Sequence, residues 1–72
     1  MHIEGISRYE NLEGGFWIIE GDNGRKFFPI NMPEQLKTPG ARVSITATIL
    51  KDAFTIGMMG DPIRITGFST IG

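Results

Sequence analysis

The chain contains no cysteine and only one histidine, His2. Without cysteine it has no disulfide, no zinc–thiolate site and no thiol nucleophile. His2 lies at a terminus where a solvated side chain is expected, and no cluster of histidines or cysteines has the spacing of metal ligands. The serines have no evident catalytic base near them in the sequence. We therefore predict that the protein is not an enzyme and uses no metal or other cofactor.

Basic residues and long apolar runs are also scarce. Seven Lys and Arg face eight Asp and Glu in 72 residues, a net charge of −1, whereas nucleic-acid binders usually carry a basic surplus. No uncharged stretch is longer than residues 43–50, which is far too short to span a bilayer. The first residues lack the basic start and apolar run of a secretory signal. Nucleic acid is thus disfavoured as a partner, no membrane partner is expected, and we expect a cytoplasmic protein.

Ten glycines and four prolines indicate many turns joined by short strands. The clearest strand covers residues 42–50, where β-branched and polar residues alternate with a period of two. Two further runs, residues 16–21 and 25–30, are aromatic and β-branched and flank Asp22-Asn23-Gly24. This pattern predicts a β-hairpin.

The hairpin has two possible registers. A type I turn followed by a glycine bulge at Gly24 places Glu20 opposite Lys26, a favourable cross-strand pair. A tighter two-residue turn would pair Ile19 with Phe28. We favour the first register, which divides the side chains between two faces. The face that we predict to be core carries Trp17, Ile19, Phe27 and Pro29, and the outward face carries Phe16, Ile18, Glu20, Lys26, Phe28 and Ile30.

The rest of the chain supplies the remaining elements of a small barrel. A first strand at residues 3–10 has a bulge or bend at Gly5. A helical turn at residues 31–36, capped by Asn31, and a type II turn at Pro39-Gly40 follow the hairpin. After the strand at residues 42–50 come a short strand at residues 54–56 and a last strand, which has Ile63, Ile65 and Phe68 on its core side and a bend at Gly67. A helical turn between the third and fourth of five strands is the plan of the OB barrel. We predict one all-β domain, residues 1–72, with a five-stranded OB-like barrel; an SH3-like barrel is the alternative.

Four segments resemble a family of small OB-like domains of bacterial and archaeal proteins, often exported ones, that has no established activity. The segments are Gly14-Gly15-Phe16-Trp17, Gly21-Asp22-Asn23-Gly24, Pro29-Ile30-Asn31-Met32-Pro33 and Met58-Met59-Gly60-Asp61-Pro62-Ile63. The family pattern reads G-G-F-W-G-I, G-D-D-G, P-I-N-L-P and M-W-G-T-P. The chain departs from it at Ile18, where the family has glycine, at Phe28, where a polar residue is expected, and at Met59, which replaces tryptophan. The resemblance implies the fold and brings no catalytic residues.

The outward face of the hairpin is the predicted site. An exposed strip of Phe16, Ile18 and Phe28 is unusual for a monomer, and OB barrels bind their ligands on the second and third strands. Burial of the strip beneath the barrel's loops is the alternative. We hypothesise a non-catalytic binding module whose strip contacts a protein, either a different partner or a second copy of the chain.

The rival hypothesis is a binder of single-stranded nucleic acid on the same face. Phe16 and Phe28 would stack on bases while Arg25 and Lys26 hold phosphates. The acidic neighbours of these cations and the negative net charge count against it.

Overall fold

Five strands close into a β-barrel in the computed structural model, which describes residues 1–11, 14–50 and 60–70. The strands are β1 His2–Glu10, β2 Phe16–Gly21, β3 Lys26–Pro29, β4 Arg42–Ile49 and β5 Asp61–Thr70. Their order around the barrel is β1-β2-β3-β5-β4, and every pairing is antiparallel except that of β3 with β5. One turn of 3-10 helix, Glu34–Leu36, lies between β3 and β4. The predicted fold class, a five-stranded barrel with a helical turn at that place, is confirmed.

The hairpin of β2 and β3 has the favoured register. Glu20 lies opposite Lys26, and the Gly21 N–H donates to the Arg25 carbonyl over 2.7 Å. Gly24 has a φ of 86°, a left-handed conformation that glycine adopts at no steric cost. The glycine therefore allows the bulge that brings Glu20 and Lys26 into register.

The β2–β3 ladder is short because proline interrupts it. In an antiparallel ladder every second pair of residues is hydrogen-bonded. The next hydrogen-bonded pair after Ile19–Phe27 would include Pro29, which has no N–H to donate. The chain then continues beside β5, where the Ile30 N–H donates to the Ile63 carbonyl over 2.9 Å. Proline thus ends one pairing and leaves the chain in position for the other.

β1 joins both sides of the barrel through Gly5, which pairs with β2 on one side and with β4 on the other. The sequence predicted a bulge or a bend at this glycine; neither ladder shifts its register there, so there is no bulge, and Ile3 and Ile6 face opposite sides of the strand. A Cβ at Gly5 would overlap the Glu20 carbonyl. The glycine is therefore needed for the close approach of two backbones.

The core is apolar and receives side chains from all five strands and from the 3-10 turn. Its buried members are Ile3, Ile19, Phe27, Leu36, Val43, Ile45, Ala47, Ile63 and Ile65. Ser7 is a fully buried polar residue beside them, and its hydroxyl donates to the Leu36 carbonyl over 2.8 Å. That bond satisfies the buried hydroxyl and ties the 3-10 turn to β1.

Asn31 does not cap the helical turn, so that prediction is wrong. The turn begins at Glu34, after Pro33, with no side-chain cap. The Asn31 amide instead donates through Nδ2 to the Ile65 carbonyl over 2.9 Å and accepts through Oδ1 from the Ile65 N–H over 2.8 Å. An amide side chain carries one donor group and one acceptor, so it pairs with β5 as a strand backbone would.

Phe68 was predicted in the core, and that prediction is wrong, since it is 43% exposed. The β4–β5 ladder shifts its register between Thr46 and Ala47, which are paired with Gly67 and Ile65. One extra residue of β5 is therefore accommodated next to Gly67, where a bend was predicted. The register places Phe68 opposite the buried Ile45, on the inner side of β5, but it lies near the end of the strand, outside the packed interior.

The turn that precedes β4 is confirmed. Gly40 has a φ of 83°, and the Ala41 N–H donates to the Thr38 carbonyl over 3.1 Å, as a turn centred on Pro39-Gly40 requires. The predicted short strand at residues 54–56 lies outside the described residues. Within the part of the chain that the structure describes, no helix is long and apolar enough to cross a membrane.

Candidate binding face on the second and third strands

Two phenylalanines meet on the outer side of the β2–β3 hairpin. Phe16 of β2 and Phe28 of β3 pack edge to face, with ring centroids 6.0 Å apart and an interplanar angle of 82°. Both rings are half-buried. Edge-to-face packing is the preferred geometry of aromatic pairs, so the predicted pair forms a fixed aromatic surface.

Ile18, the third member of the predicted strip, is only 1% exposed, so the prediction that it is exposed is wrong. It is absent from the core cluster because it alternates with Ile19 along β2 and points to the other side of the strand. Ile18 therefore lies on the outer side of β2 but is covered, and the accessible apolar surface comes from the half-buried rings of Phe16 and Phe28.

Two further apolar residues border this face, and neither was predicted from the sequence to lie on it. Pro62 of β5 is the register partner of Phe28, and Ile6 of β1 is the partner of Glu20 on the outer side. Both are half-buried. The phase of Ile6 against Ile3 was the available signal, since an apolar residue out of phase with the core belongs to the opposite face. We name the set Phe16, Phe28, Ile6 and Pro62 the phenylalanine face.

The charged groups beside the phenylalanine face are largely paired with one another. Glu20 lies opposite Lys26, but it accepts from Arg8, with 2.5 Å between Arg8 Nε and Glu20 Oε1. Arg25 donates to Asp61 over 2.6 Å. Its guanidinium also lies over the Phe27 ring, 5.0 Å from the centroid.

The two predicted phosphate ligands are therefore not equivalent. Arg25 is committed to Asp61, whereas Lys26 is exposed and makes no ion pair with any described residue. A phosphate would have to compete with the Asp61 carboxylate for Arg25. This charge pairing lowers the positive potential that an anionic ligand would meet.

The tip of the hairpin is fastened to the barrel by charge. Arg42 of β4 donates to both carboxylate oxygens of Asp22, over 3.3 and 3.0 Å, and the Asp22 N–H donates to the Glu4 carbonyl over 2.9 Å. The hydrogen bond and the charge of Asp22 raise the pKa of Arg42 above its ordinary value. The hairpin that carries the phenylalanine face is thus held against β1 and β4.

A cleft of about 340 Å³ lies between β1 and the hairpin tip. Its polar lining includes His2, Glu4, Asp22, Asn23 and Arg25. Two of these charges are already neutralised, by the Asp22–Arg42 and Arg25–Asp61 pairs. None of the four residues of the phenylalanine face lines the cleft.

One serine does approach the histidine. The Ser44 hydroxyl lies 3.1 Å from His2 Nε2, and a Glu4 carboxylate oxygen lies 3.4 Å from the same nitrogen. A catalytic triad uses both ring nitrogens, one for the serine and the other for the carboxylate. Here the serine and the carboxylate approach the same nitrogen, so these three residues lack the triad arrangement. Among residues 1–11, 14–50 and 60–70, no group of three His, Asp or Glu could hold a metal ion.

Trp17 lies at the edge of the barrel, so the prediction that it belongs to the core is wrong. It is half-buried, absent from the core cluster, and packed edge to face against Tyr9 at 5.2 Å. The two residues are register partners one position from the ends of β1 and β2. At that end of the barrel, side chains on the inner side of the strands lie beyond the packed interior.

No protein-family model, curated protein or solved structure matches this chain.

Proposed function

We propose that the chain is a non-catalytic binding module with an OB-type barrel, and that its phenylalanine face contacts a protein. The strand order β1-β2-β3-β5-β4, the parallel β3–β5 pair and the helical turn between β3 and β4 support the OB assignment. OB barrels present ligands to their second and third strands. The resemblance to the family of small OB-like domains stays a prediction that agrees with this assignment.

The packed Phe16–Phe28 pair is the observation that carries the proposal. Aromatic residues are enriched at protein interfaces and supply many of the side chains that dominate binding energy. Rings that are already packed together lose little conformational freedom on binding. The buried Ile18 on the same side of β2 and the neighbouring ion pairs Arg8–Glu20 and Arg25–Asp61 support this arrangement.

A protein interface of ordinary size would use a substantial part of this small barrel. Such interfaces bury about 800 Å² on each partner, and the whole chain exposes 4434 Å². The two rings alone are too small for that area, so Ile6, Pro62 and the neighbouring ion pairs would form the surrounding contact. Charged groups that are already paired suit the polar rim of a protein interface better than they suit contact with a phosphate backbone.

Binding of single-stranded nucleic acid is the second candidate. The exposed Lys26 and the two rings favour it, because OB folds bind strands by stacking bases on aromatic side chains beside basic groups. The pairing of Arg25 with Asp61 and of Arg8 with Glu20 disfavours it.

A double variant, Phe16→Ser with Phe28→Ser, tests the proposal in sedimentation velocity experiments across a wide range of protein concentration. We expect the wild type to self-associate weakly and the double variant to remain monomeric and folded. Because apolar burial drives the contact, salt should change the association little. Phe68→Ser is the matched control, since it removes a partly exposed phenylalanine of β5 and should leave association unchanged.

Titration with single-stranded oligonucleotides at low and moderate salt separates the two candidates. Tight binding that weakens steeply as salt rises, through counterion release, and that the double variant loses would favour nucleic acid instead. A wild type that stays monomeric at the highest concentration would remove the second copy as the partner. Unfolding of the double variant, with Phe68→Ser folded, would assign the two rings to the core.

A further inference from the structure

Two charged side chains of opposite sign lie on either side of the phenylalanine pair. Glu10 of β1 is the register partner of Phe16, and cross-strand partners project from the same side of a sheet. Lys26 precedes Phe28 by two positions on β3, so these two side chains also share the outer side. Because the rings of Phe16 and Phe28 pack on each other, the order across the three strands is Glu10, Phe16, Phe28, Lys26. We name this set the four-residue row.

The charges at both ends of the four-residue row lack a partner in the described part of the chain. Neither Glu10 nor Lys26 makes an ion pair with another described residue. Arg8, two positions before Glu10, and Glu20, opposite Lys26, pair with each other instead. Glu10 is half-buried and Lys26 is exposed, so both can reach a surface that docks on the rings.

The four-residue row is complementary to a second copy of itself turned end over end. A two-fold rotation about an axis that passes between the rings exchanges the two ends of the row. It places Phe16 against Phe28 of the second copy and Glu10 against Lys26 of the second copy. Each contact then occurs twice, as in every isologous interface. Apolar rings meet apolar rings, and each end charge meets a charge of the opposite sign.

The difference in sign between the two ends is what identifies the occupant. Two like charges at the ends would repel each other under the same rotation, and like-charge contacts are the means by which interfaces exclude wrong partners. A nucleic acid carries negative charge along its whole backbone, so it would satisfy Lys26 and be repelled by Glu10. A second copy of the chain satisfies both ends.

We propose that the phenylalanine face binds the same face of a second copy in this two-fold orientation, and that Glu10 and Lys26 determine the orientation. The inference rests on the proposed function, since it names the protein that the face contacts. Burial of the rings supplies most of the affinity. The end charges act at the rim, where complementary charge contributes more to specificity than to affinity.

Two charge-reversal variants, Lys26→Glu and Glu10→Lys, test the orientation by sedimentation velocity at low salt. Each variant alone brings like charges together at both ends of the paired rows, so we expect its self-association to weaken about tenfold. Mixed in equal amounts, the two variants present opposite charges to each other at both ends. We therefore expect the mixture to associate as well as the wild type. High salt should reduce the difference between the single variants and the mixture, because it screens exposed charges.

Lys37→Glu and Glu34→Lys are the matched controls. They change the net charge by the same amounts as the charge-reversal variants, but they lie at the 3-10 turn and not on the strands of the phenylalanine face. Each control alone should associate as the wild type does, and mixing the two should add nothing. Circular dichroism checks that all four variants are folded.

Carbodiimide coupling provides a second measurement that needs no substitution. The reagent joins a carboxylate to an amine in contact with it, with loss of water. In a mixture of isotopically labelled and unlabelled wild-type protein, mass spectrometry should find Glu10 joined to Lys26 between a labelled and an unlabelled chain. This measurement tests the contact even where a reversed charge unfolds the chain.

The possible outcomes separate this inference from the proposed function. Suppose that the Phe16→Ser, Phe28→Ser double variant is monomeric, but the charge-reversal variants associate as the wild type does and no coupling of Glu10 to Lys26 occurs. The face then binds, and the two-fold orientation is wrong. An equal gain in the mixture of control variants would assign the effect to net charge and also overturn the inference.

Two further outcomes concern the occupant and the face. A wild type that stays monomeric at the highest concentration would overturn the second copy as the occupant and leave the proposed function with a different protein partner. Self-association that survives in the double variant would overturn the proposed use of the phenylalanine face, and this inference with it.

Discussion

Asn31→Asp distinguishes the two roles that Asn31 can have. At a helix N-cap, Asp and Asn are about equally good, so this substitution would be neutral if Asn31 capped the helical turn. In the structure, however, Asn31 both donates to and accepts from the Ile65 backbone. An ionised aspartate keeps the acceptor, loses the donor and places a negative oxygen about 2.9 Å from the Ile65 carbonyl. We therefore expect Asn31→Asp to destabilise the barrel.

The magnitude follows from the bonds that are lost. One neutral hydrogen bond contributes roughly 0.5–1.5 kcal/mol net, and an unsatisfied buried acceptor costs about 1–3 kcal/mol. Because Asn31 is exposed and its hydrogen bonds to Ile65 are only partly buried, we expect a loss of about 1–2 kcal/mol in the free energy of unfolding. For a chain of this length, the total is roughly 4–11 kcal/mol. Each kcal/mol lowers Tm by about 4–8 °C in domains of this size.

Asn23→Asp is the matched control. The side-chain oxygen of Asn23 accepts from the Arg25 N–H over 3.0 Å, a role that a carboxylate fills equally well. Urea unfolding of both variants at pH 7 makes the comparison, with equal m-values required. Equal stability of Asn31→Asp and Asn23→Asp would refute the bridge between Asn31 and β5.

Two substitutions in β1 test how the barrel closes. Gly5→Ala should cost about 1–3 kcal/mol, the usual range for overpacking, because its Cβ would overlap the Glu20 carbonyl; an unchanged urea midpoint would contradict the close approach. Ser7→Ala should cost about 1–3 kcal/mol, because it leaves the Leu36 carbonyl without its hydroxyl partner. A loss below ~0.5 kcal/mol in thermal unfolding would show that this buried hydrogen bond does not contribute.

Local sequence signals were enough for the strands, the turns and the register of the hairpin. The two-residue alternation of β4 depends only on strand geometry, and the turn at Gly24 depends on a backbone conformation that glycine adopts freely. The Glu20–Lys26 register follows from that turn. Both phenylalanines of the face could be predicted for the same reason, since alternation along β2 and β3 separates them from Ile19 and Phe27.

Burial at the ends of the strands could not be predicted, because it depends on where the barrel stops. Trp17 shares an inner side with Ile19, yet it lies beyond the interior and packs on Tyr9. Phe68 lies opposite the buried Ile45, yet it is 43% exposed near the end of β5. Ile18 has an outward position, but its burial to 1% exposure depends on neighbours that alternation does not identify.

The sequence by itself determined the elements of this protein, because turn chemistry and period-two patterning act over a few residues. The tertiary structure decided which polar groups find partners across long separations. Asn31 meets Ile65, Arg25 meets Asp61 and Ser7 meets Leu36, over 34, 36 and 29 positions of chain. Such contacts depend on how the strands close around the core, since no local pattern encodes the distance between residues of different strands.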